Sequence, residues 1–82
     1  MKIVVFGLGY VGATATACLL KDGHTVVGVD VSPEKAAQIQ SGRSPVSEPG
    51  LDDLLAGGRD AGRLSADTGV GGHLDDADIA MI

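Results

Sequence analysis

Apolar and polar positions along the chain form blocks that favour strands and helices in turn. Residues 3–6, Ile-Val-Val-Phe, are an uncharged, mostly β-branched run that stops at Gly7, and this pattern predicts a buried parallel strand. From Tyr10 to Lys21 the spacing becomes helical, and Gly23 is placed to end the helix. We expect the buried face of this helix to be formed by Val11, Ala15, Cys18 and Leu19.

The middle of the chain repeats this succession of strand and helix. Residues 25–30 predict a second buried strand. After it, Ser32 supplies an N-cap hydroxyl, Pro33 suits the first helical position and Glu34 places an acid in the first turn. The helix that these residues start should end near residues 41–42, Ser-Gly.

Shorter elements follow a proline-containing loop at residues 43–50. The leucines within residues 51–55 predict a short helix that stops at the glycine pair 57–58. Residues 64–66 predict a brief strand, and residues 79–82 predict the start of another.

The order β-α-β-α-loop-β-β predicts an α/β fold of the Rossmann type. It corresponds to the first half of a doubly wound parallel sheet, with strand order 3-2-1-4. The length of 82 residues allows one small domain. Because the last strand reaches Ile82 without a turn or polar cap, we expect residues 1–82 to be a truncated amino-terminal domain.

The candidate chemistry begins at the turn between the first strand and the first helix. Residues 7–12, Gly-Leu-Gly-Tyr-Val-Gly, match G-x-G-x-x-G, a motif that becomes informative because it follows a strand and opens a helix. Gly7 allows a sharp turn, Gly9 leaves room for a pyrophosphate and Gly12 allows helix and strand to pack closely. The N–H groups near Tyr10 and Val11, with the positive end of the helix dipole, can bind the anion.

An acid at the end of the second strand predicts the choice of cofactor. Asp30 lies 18 residues after Gly12, where a carboxylate accepts hydrogen bonds from the ribose hydroxyls of a dinucleotide. A carboxylate repels a 2′-phosphate, and no Arg stands at the next two positions, so the predicted cofactor is NAD rather than NADP. The alternative is a plain strand-end Asp beside a structural turn. Lys35 either contacts the adenosine side or lies on a solvated helix face.

Charge and cysteine content exclude several other functions. The net charge is −5 and no basic cluster occurs, so we expect no nucleic-acid partner. Residues 3–20 are uncharged, but their spaced glycines argue against a membrane segment. Cys18 is the only cysteine, which predicts a cytoplasmic protein without disulfides. We expect Cys18 to be a buried structural thiol, and the chain offers no catalytic residue and no metal site.

The segments around these positions resemble the UDP-glucose/GDP-mannose dehydrogenase family. The similar segments are MKIVVFGLGYVG at residues 1–12, GVD at 28–30, SEPGLDDLL at 47–55 and GRL at 62–64. The resemblance implies an enzyme that oxidises the 6-hydroxyl of a nucleotide sugar to a carboxylate in two steps, with two NAD per sugar. It implies cofactor contacts at Gly7, Gly9, Tyr10, Val11, Gly12, Asp30 and Lys35.

The same resemblance implies that the family's nucleophilic cysteine and its sugar-binding residues lie beyond this chain. We also expect the full-length protein to be a homo-oligomer. Ser47 favours the GDP-mannose branch, because the UDP-glucose branch usually carries an aromatic residue at that position. Glu48 either approaches the ligand or caps the next helix.

Two other functions remain compatible with the opening strand and glycine turn. One is a stand-alone NAD-sensing regulatory module, and the other is a different Rossmann dehydrogenase, such as a hydroxyacid enzyme. Neither class usually contains the segment Glu-Pro-Gly-Leu at residues 48–51, so the resemblance favours the nucleotide-sugar dehydrogenase.

Overall fold

Four strands and three helices lie within residues 1–44, 50–69, 71–73 and 75–81, which are those that the computed structural model describes. The elements are β1 (Lys2–Phe6), α1 (Tyr10–Lys21), β2 (Thr25–Val29), α2 (Pro33–Gln40), α3 (Leu51–Asp60), β3 (Leu64–Asp67) and β4 (Ile79–Met81). The predictions that concern Ser47, Glu48 and Ile82 fall outside the described residues.

The strands form one parallel sheet in the order β3-β2-β1-β4. In register, Val5 of β1 lies beside Gly28 of β2 and Met81 of β4, while Gly28 lies beside Ala66 of β3. The predicted fold class and strand order are confirmed. Because all strands run in the same direction, their carboxyl ends meet at one edge, where a doubly wound sheet binds its ligands.

Apolar side chains cover both faces of the sheet. Alternate residues of β1 point to opposite faces, so Ile3 and Val5 pack against the helices, whereas Val4 packs with Val27 and Val29 on the other face. On the helical face, the larger apolar cluster includes Leu20 from α1, Ile39 from α2 and Leu55 from α3. The three helices therefore anchor to the sheet through aliphatic side chains.

The rotation of α1 differs from the prediction. Val11 is 78% exposed, Cys18 is also exposed, and Ala15 and Leu19 are only partly buried. The residues that face the core are Ala13, Thr16, Ala17 and Leu20. The prediction of a buried Cys18 is therefore wrong. The helix carries no charge before Lys21, so its sequence lacks the polar stripe that would define which face is buried.

The helix α3 also extends beyond its predicted end, through Gly57 and Gly58 to Asp60. A Cβ atom on Gly58 would lie 2.7 Å from Cδ1 of Leu20, so this glycine allows α1 and α3 to approach closely. A glycine inside a helix costs about 0.5–1 kcal/mol relative to alanine. The packing of α3 on α1 outweighs this cost, which is why the glycine pair does not end the helix.

The start and end of α2 agree with the prediction. The side-chain oxygen of Ser32 accepts a hydrogen bond from the backbone N–H of Lys35 at 3.4 Å, and Pro33 occupies the first turn. Ser41 follows the last helical residue. None of the helices in the described ranges is long and apolar enough to span a bilayer.

Candidate functional site

The turn that joins β1 to α1 lies at the carboxyl edge of the sheet. Gly7 has a φ of +86°, a conformation that residues with a Cβ rarely adopt. Its N–H donates a hydrogen bond to the carbonyl of Val29 at 2.8 Å. This bond continues the pairing of β1 with β2 for one residue beyond the strands. The chain then reverses into α1.

Gly12, in the first turn of α1, allows the helix to sit against this turn. A Cβ atom on Gly12 would lie 1.7 Å from the carbonyl oxygen of Gly7, far inside any van der Waals contact. The third glycine of the motif is therefore required by packing within the protein itself.

Gly9 differs from the other two glycines of the motif, because neither its conformation nor its neighbours require the absence of a side chain. Its φ is −74°, and nothing lies within 4 Å of the position that a Cβ would occupy. The space above Gly9 is thus open to a ligand. We call this open space above Gly9 the glycine cradle. It fits a pyrophosphate, which must approach the backbone closely.

The amino terminus of α1 supplies hydrogen-bond donors beside this open space. The helix begins after Gly9 without a side-chain cap and has no acidic residue in its first turn. The N–H of Ala13 donates to the carbonyl of Gly9 at 2.8 Å, so the N–H groups of Val11 and Gly12 precede the intrahelical ladder. With the helix dipole, they make a site for an anion in a chain whose net charge is −5.

The carboxylate of Asp30 lies beside the glycine turn. Its Oδ2 accepts a hydrogen bond from the N–H of Leu8 at 2.7 Å, and its Oδ1 accepts one from the N–H of Ser32 at 2.8 Å. These two hydrogen bonds, and to a smaller extent the positive charge of Lys35, hold the pKa of Asp30 below its usual value. Asp30 therefore stabilises the fold at neutral pH, and this contribution is lost as the pH falls through its depressed pKa. Each oxygen keeps a second lone pair for a ligand hydroxyl.

Two hollows flank the turn. A cleft of about 440 Å³ is lined by Val5, Phe6, Gly7, Gly9, Tyr10, Val11, Gly12, Ala15 and Met81. A smaller hollow of about 270 Å³ is lined by Phe6, Gly7, Val29, Asp30 and Val31. The glycine turn separates them, so an extended ligand that crosses the turn can occupy both.

The structure brings most of the predicted site residues together. Gly7, Gly9, Tyr10, Val11 and Gly12 line the cleft, and Asp30 lines the adjoining hollow. Lys35 is exposed on the first turn of α2 and contributes a positive charge near Asp30. Cys18 does not line either hollow.

Sequence reasoning missed Leu8 and Gly28, two residues beneath the turn. Leu8 is fully buried, and a Cβ atom on Gly28 would lie 2.7 Å from its Cδ2. Two signals pointed to them: Leu8 is an apolar residue inside a glycine turn, and Gly28 interrupts an otherwise β-branched strand.

The parallel sheet, the open glycine cradle and the carboxylate at the end of β2 define a dinucleotide-binding domain of the Rossmann type. The family model for the NAD binding domain of the UDP-glucose/GDP-mannose dehydrogenase family matches residues 1–82. The chain belongs to this family. The prediction of NAD as its cofactor is confirmed by the matched domain.

Relatives in this family match along the whole chain. GDP-mannose 6-dehydrogenase of Pseudomonas aeruginosa is 50% identical over 82 residues, which are 100% of this chain and 19% of the relative. UDP-glucose 6-dehydrogenase of the same organism is 35% identical over 82 residues, which are 100% of this chain and 18% of that protein. The chain thus spans about a fifth of the length of these relatives.

A solved structure agrees with this assignment. The crystal structure of a ternary complex of GDP-mannose dehydrogenase from Pseudomonas aeruginosa superposes on this chain with a TM-score of 0.92 at 50% identity. The match covers 98% of this chain and 18% of that chain. The two proteins therefore share the fold that positions the glycine turn.

Proposed function

We propose that residues 1–82 are the amino-terminal, NAD-binding part of a longer nucleotide-sugar 6-dehydrogenase that oxidises GDP-mannose to the corresponding uronic acid. The observation that carries this proposal is the 50% identity to a GDP-mannose 6-dehydrogenase along the whole chain, against 35% for the UDP-glucose enzyme of the same organism. The parent protein acts in the cytoplasm as a homo-oligomer and takes a nucleotide sugar as its substrate.

In this proposal the cofactor lies across the glycine turn. The pyrophosphate contacts the backbone of Gly7, Gly9 and Gly12 and the N–H groups at Tyr10 and Val11, because Gly9 leaves that space open. The adenosine ribose donates hydrogen bonds to Asp30, and Lys35 approaches the adenosine side. When bound, NAD would supply the acceptor for the hydride that leaves the sugar. The residues of this chain bind and orient it, and they exclude a 2′-phosphate through the charge of Asp30.

The direct test is turnover by the full-length protein that carries this chain. NADH formation is followed with GDP-mannose and with UDP-glucose as separate substrates, with NAD and no sugar nucleotide as the blank. We expect the higher kcat/KM with GDP-mannose and two NADH formed per sugar oxidised. Preference for UDP-glucose would contradict the substrate assignment. Absence of turnover with any nucleotide sugar would contradict the proposed activity.

Asp30→Ala in the same protein tests the ribose contact. A hydrogen bond to a charged group contributes about 1.5–3 kcal/mol, so we expect NAD affinity to fall by about tenfold to a hundredfold. Since the substitution also removes the charge that repels a 2′-phosphate, the ratio of kcat/KM for NAD over NADP should narrow. Asp22→Ala is the matched control, because Asp22 is an exposed carboxylate at the opposite end of α1.

The ratio of kcat/KM for NAD over NADP distinguishes two roles of Asp30, the support of the glycine turn and the binding of the ribose. Loss of its hydrogen bonds to Leu8 and Ser32 would weaken NAD and NADP alike, whereas loss of a ribose contact changes their ratio. An unchanged ratio in Asp30→Ala would show that Asp30 does not bind the ribose.

A further inference from the structure

The middle residue of the glycine turn is buried in the protein core. Leu8 stands between Gly7 and Gly9, yet its side chain is 0% exposed and belongs to the cluster that joins the sheet to the helices. Turns usually lie on the surface and carry polar residues. The buried side chain of Leu8 therefore anchors the glycine turn to the hydrophobic core beneath it.

Gly28 creates the space that Leu8 occupies. It lies in the interior of β2, between β1 and β3, where a glycine weakens a strand and often marks a close approach of other groups. A Cβ atom at this position would lie 2.7 Å from Cδ2 and 3.0 Å from Cδ1 of Leu8. No left-handed conformation requires a glycine here. The side chain of Leu8 is what requires it.

Two hydrogen bonds also hold the same turn, one to the carboxylate of Asp30 and one to the backbone carbonyl of Val29. The N–H of Leu8 donates to Asp30 at 2.7 Å, and the N–H of Gly7 donates to Val29 at 2.8 Å. Both acceptors follow Gly28 directly in the chain. The three consecutive residues 28–30, at the end of β2 and directly after it, thus fix the position and direction of the turn.

We propose that the packing of Leu8 over Gly28 holds the glycine turn in its binding shape before NAD arrives, which makes Gly28 and Leu8 positioning residues for the cofactor. This inference rests on the proposed role of the turn in binding the pyrophosphate. Ordering a loose segment on binding reduces affinity, because each residue that becomes fixed loses conformational entropy. A turn anchored through a buried leucine avoids this loss.

The test uses Gly28→Ala in the full-length protein, with NAD affinity measured by calorimetric titration and stability measured by thermal unfolding without NAD. The added methyl group displaces the end of the Leu8 side chain and shifts the turn, so we expect the Kd for NAD to rise at least about tenfold. Leu8→Val removes the atoms that clash. The double variant Leu8→Val/Gly28→Ala should therefore recover most of the lost affinity.

Gly58→Ala is the matched control for general destabilisation. Its new Cβ would lie 2.7 Å from Leu20 in the same apolar cluster, but Leu20 does not line either hollow beside the turn. We expect Gly58→Ala to lower Tm while the Kd for NAD stays within about twofold of wild type. Equal losses of affinity in Gly28→Ala and Gly58→Ala, or a double variant without recovery, would overturn the inference.

A second measurement applies if Gly28→Ala does not fold. Leu8→Ala removes the anchor without adding bulk, and amide hydrogen exchange of residues 7–12 in the NAD-free protein should then be faster than in wild type, together with weaker NAD binding. Unchanged exchange and unchanged affinity in Leu8→Ala would overturn the inference. Failure of the wild-type protein to bind NAD would instead contradict the proposed function.

Discussion

Gly12→Ala is expected to disrupt the glycine turn and to abolish NAD binding. The new Cβ would lie 1.7 Å from the carbonyl oxygen and 2.8 Å from the carbonyl carbon of Gly7, and both are backbone atoms that no rotamer change can move. Relief requires that α1 move away from the end of β1. Ordinary overpacking costs about 1–3 kcal/mol, and a backbone collision at this distance should cost at least about 3 kcal/mol. Thermal unfolding of the full-length protein without NAD measures this loss, and calorimetric titration measures binding.

A glycine with free space around it gives the control for this substitution. Nothing lies within 4 Å of a Cβ on Gly57, which is inside α3, so Gly57→Ala should stabilise the protein by about 0.5–1 kcal/mol and leave NAD binding unchanged. A Gly12→Ala variant with wild-type Tm would show that α1 does not pack on Gly7 as described.

Strand order could be predicted from the sequence because it follows from rules that act over short stretches of chain. Residues 3–6 and 25–29 are apolar runs with β-branched residues and are separated by one helix, and a crossover between such strands makes them parallel and adjacent. The predicted α2 was correct for a similar reason, since Ser32 and Pro33 act on the helix that follows them directly.

Features that depend on contacts between distant residues were not predictable in the same way. The rotation of α1 is determined by the contacts of Gly12 with Gly7 and of Leu20 with α3. A helix without charged residues before Lys21 shows neither contact in its sequence. Likewise, Gly58 was predicted to end α3. Its role, which is to allow close packing against Leu20, becomes visible only when α1 and α3 come together.

In the candidate site, too, local features could be predicted from the sequence and contacts between distant residues could not. Asp30 and the glycines could be identified from spacing, because the motif encodes a local strand-turn-helix geometry. The hydrogen bond of Asp30 to Leu8 and the packing of Leu8 over Gly28 join two segments about 20 residues apart, and spacing alone does not show them. The carboxylate of Asp30, which the sequence predicts to bind the ribose, also supports the turn.

Gly9→Ala should separate cofactor binding from folding. The φ of −74° at Gly9 suits alanine, and its new methyl group would have nothing within 4 Å in the NAD-free protein. Gly9 is the N-cap residue of α1, a position where alanine is less favourable than glycine, so we expect a loss of stability of about 1 kcal/mol or less. The methyl group would, however, occupy the space that the pyrophosphate needs. We expect NAD affinity to fall at least about a hundredfold, which corresponds to about 2.7 kcal/mol.

The comparison with Gly12→Ala makes this prediction specific. Both variants should lose NAD binding, but Gly12→Ala loses it together with the fold of the turn, whereas Gly9→Ala keeps a Tm within a few degrees of wild type and loses binding alone. Calorimetric titration and thermal unfolding on the same preparations of full-length protein distinguish the two cases. If Gly9→Ala is folded and binds NAD as wild type does, the pyrophosphate does not cross the turn at Gly9, and the cofactor must be held by other parts of the protein.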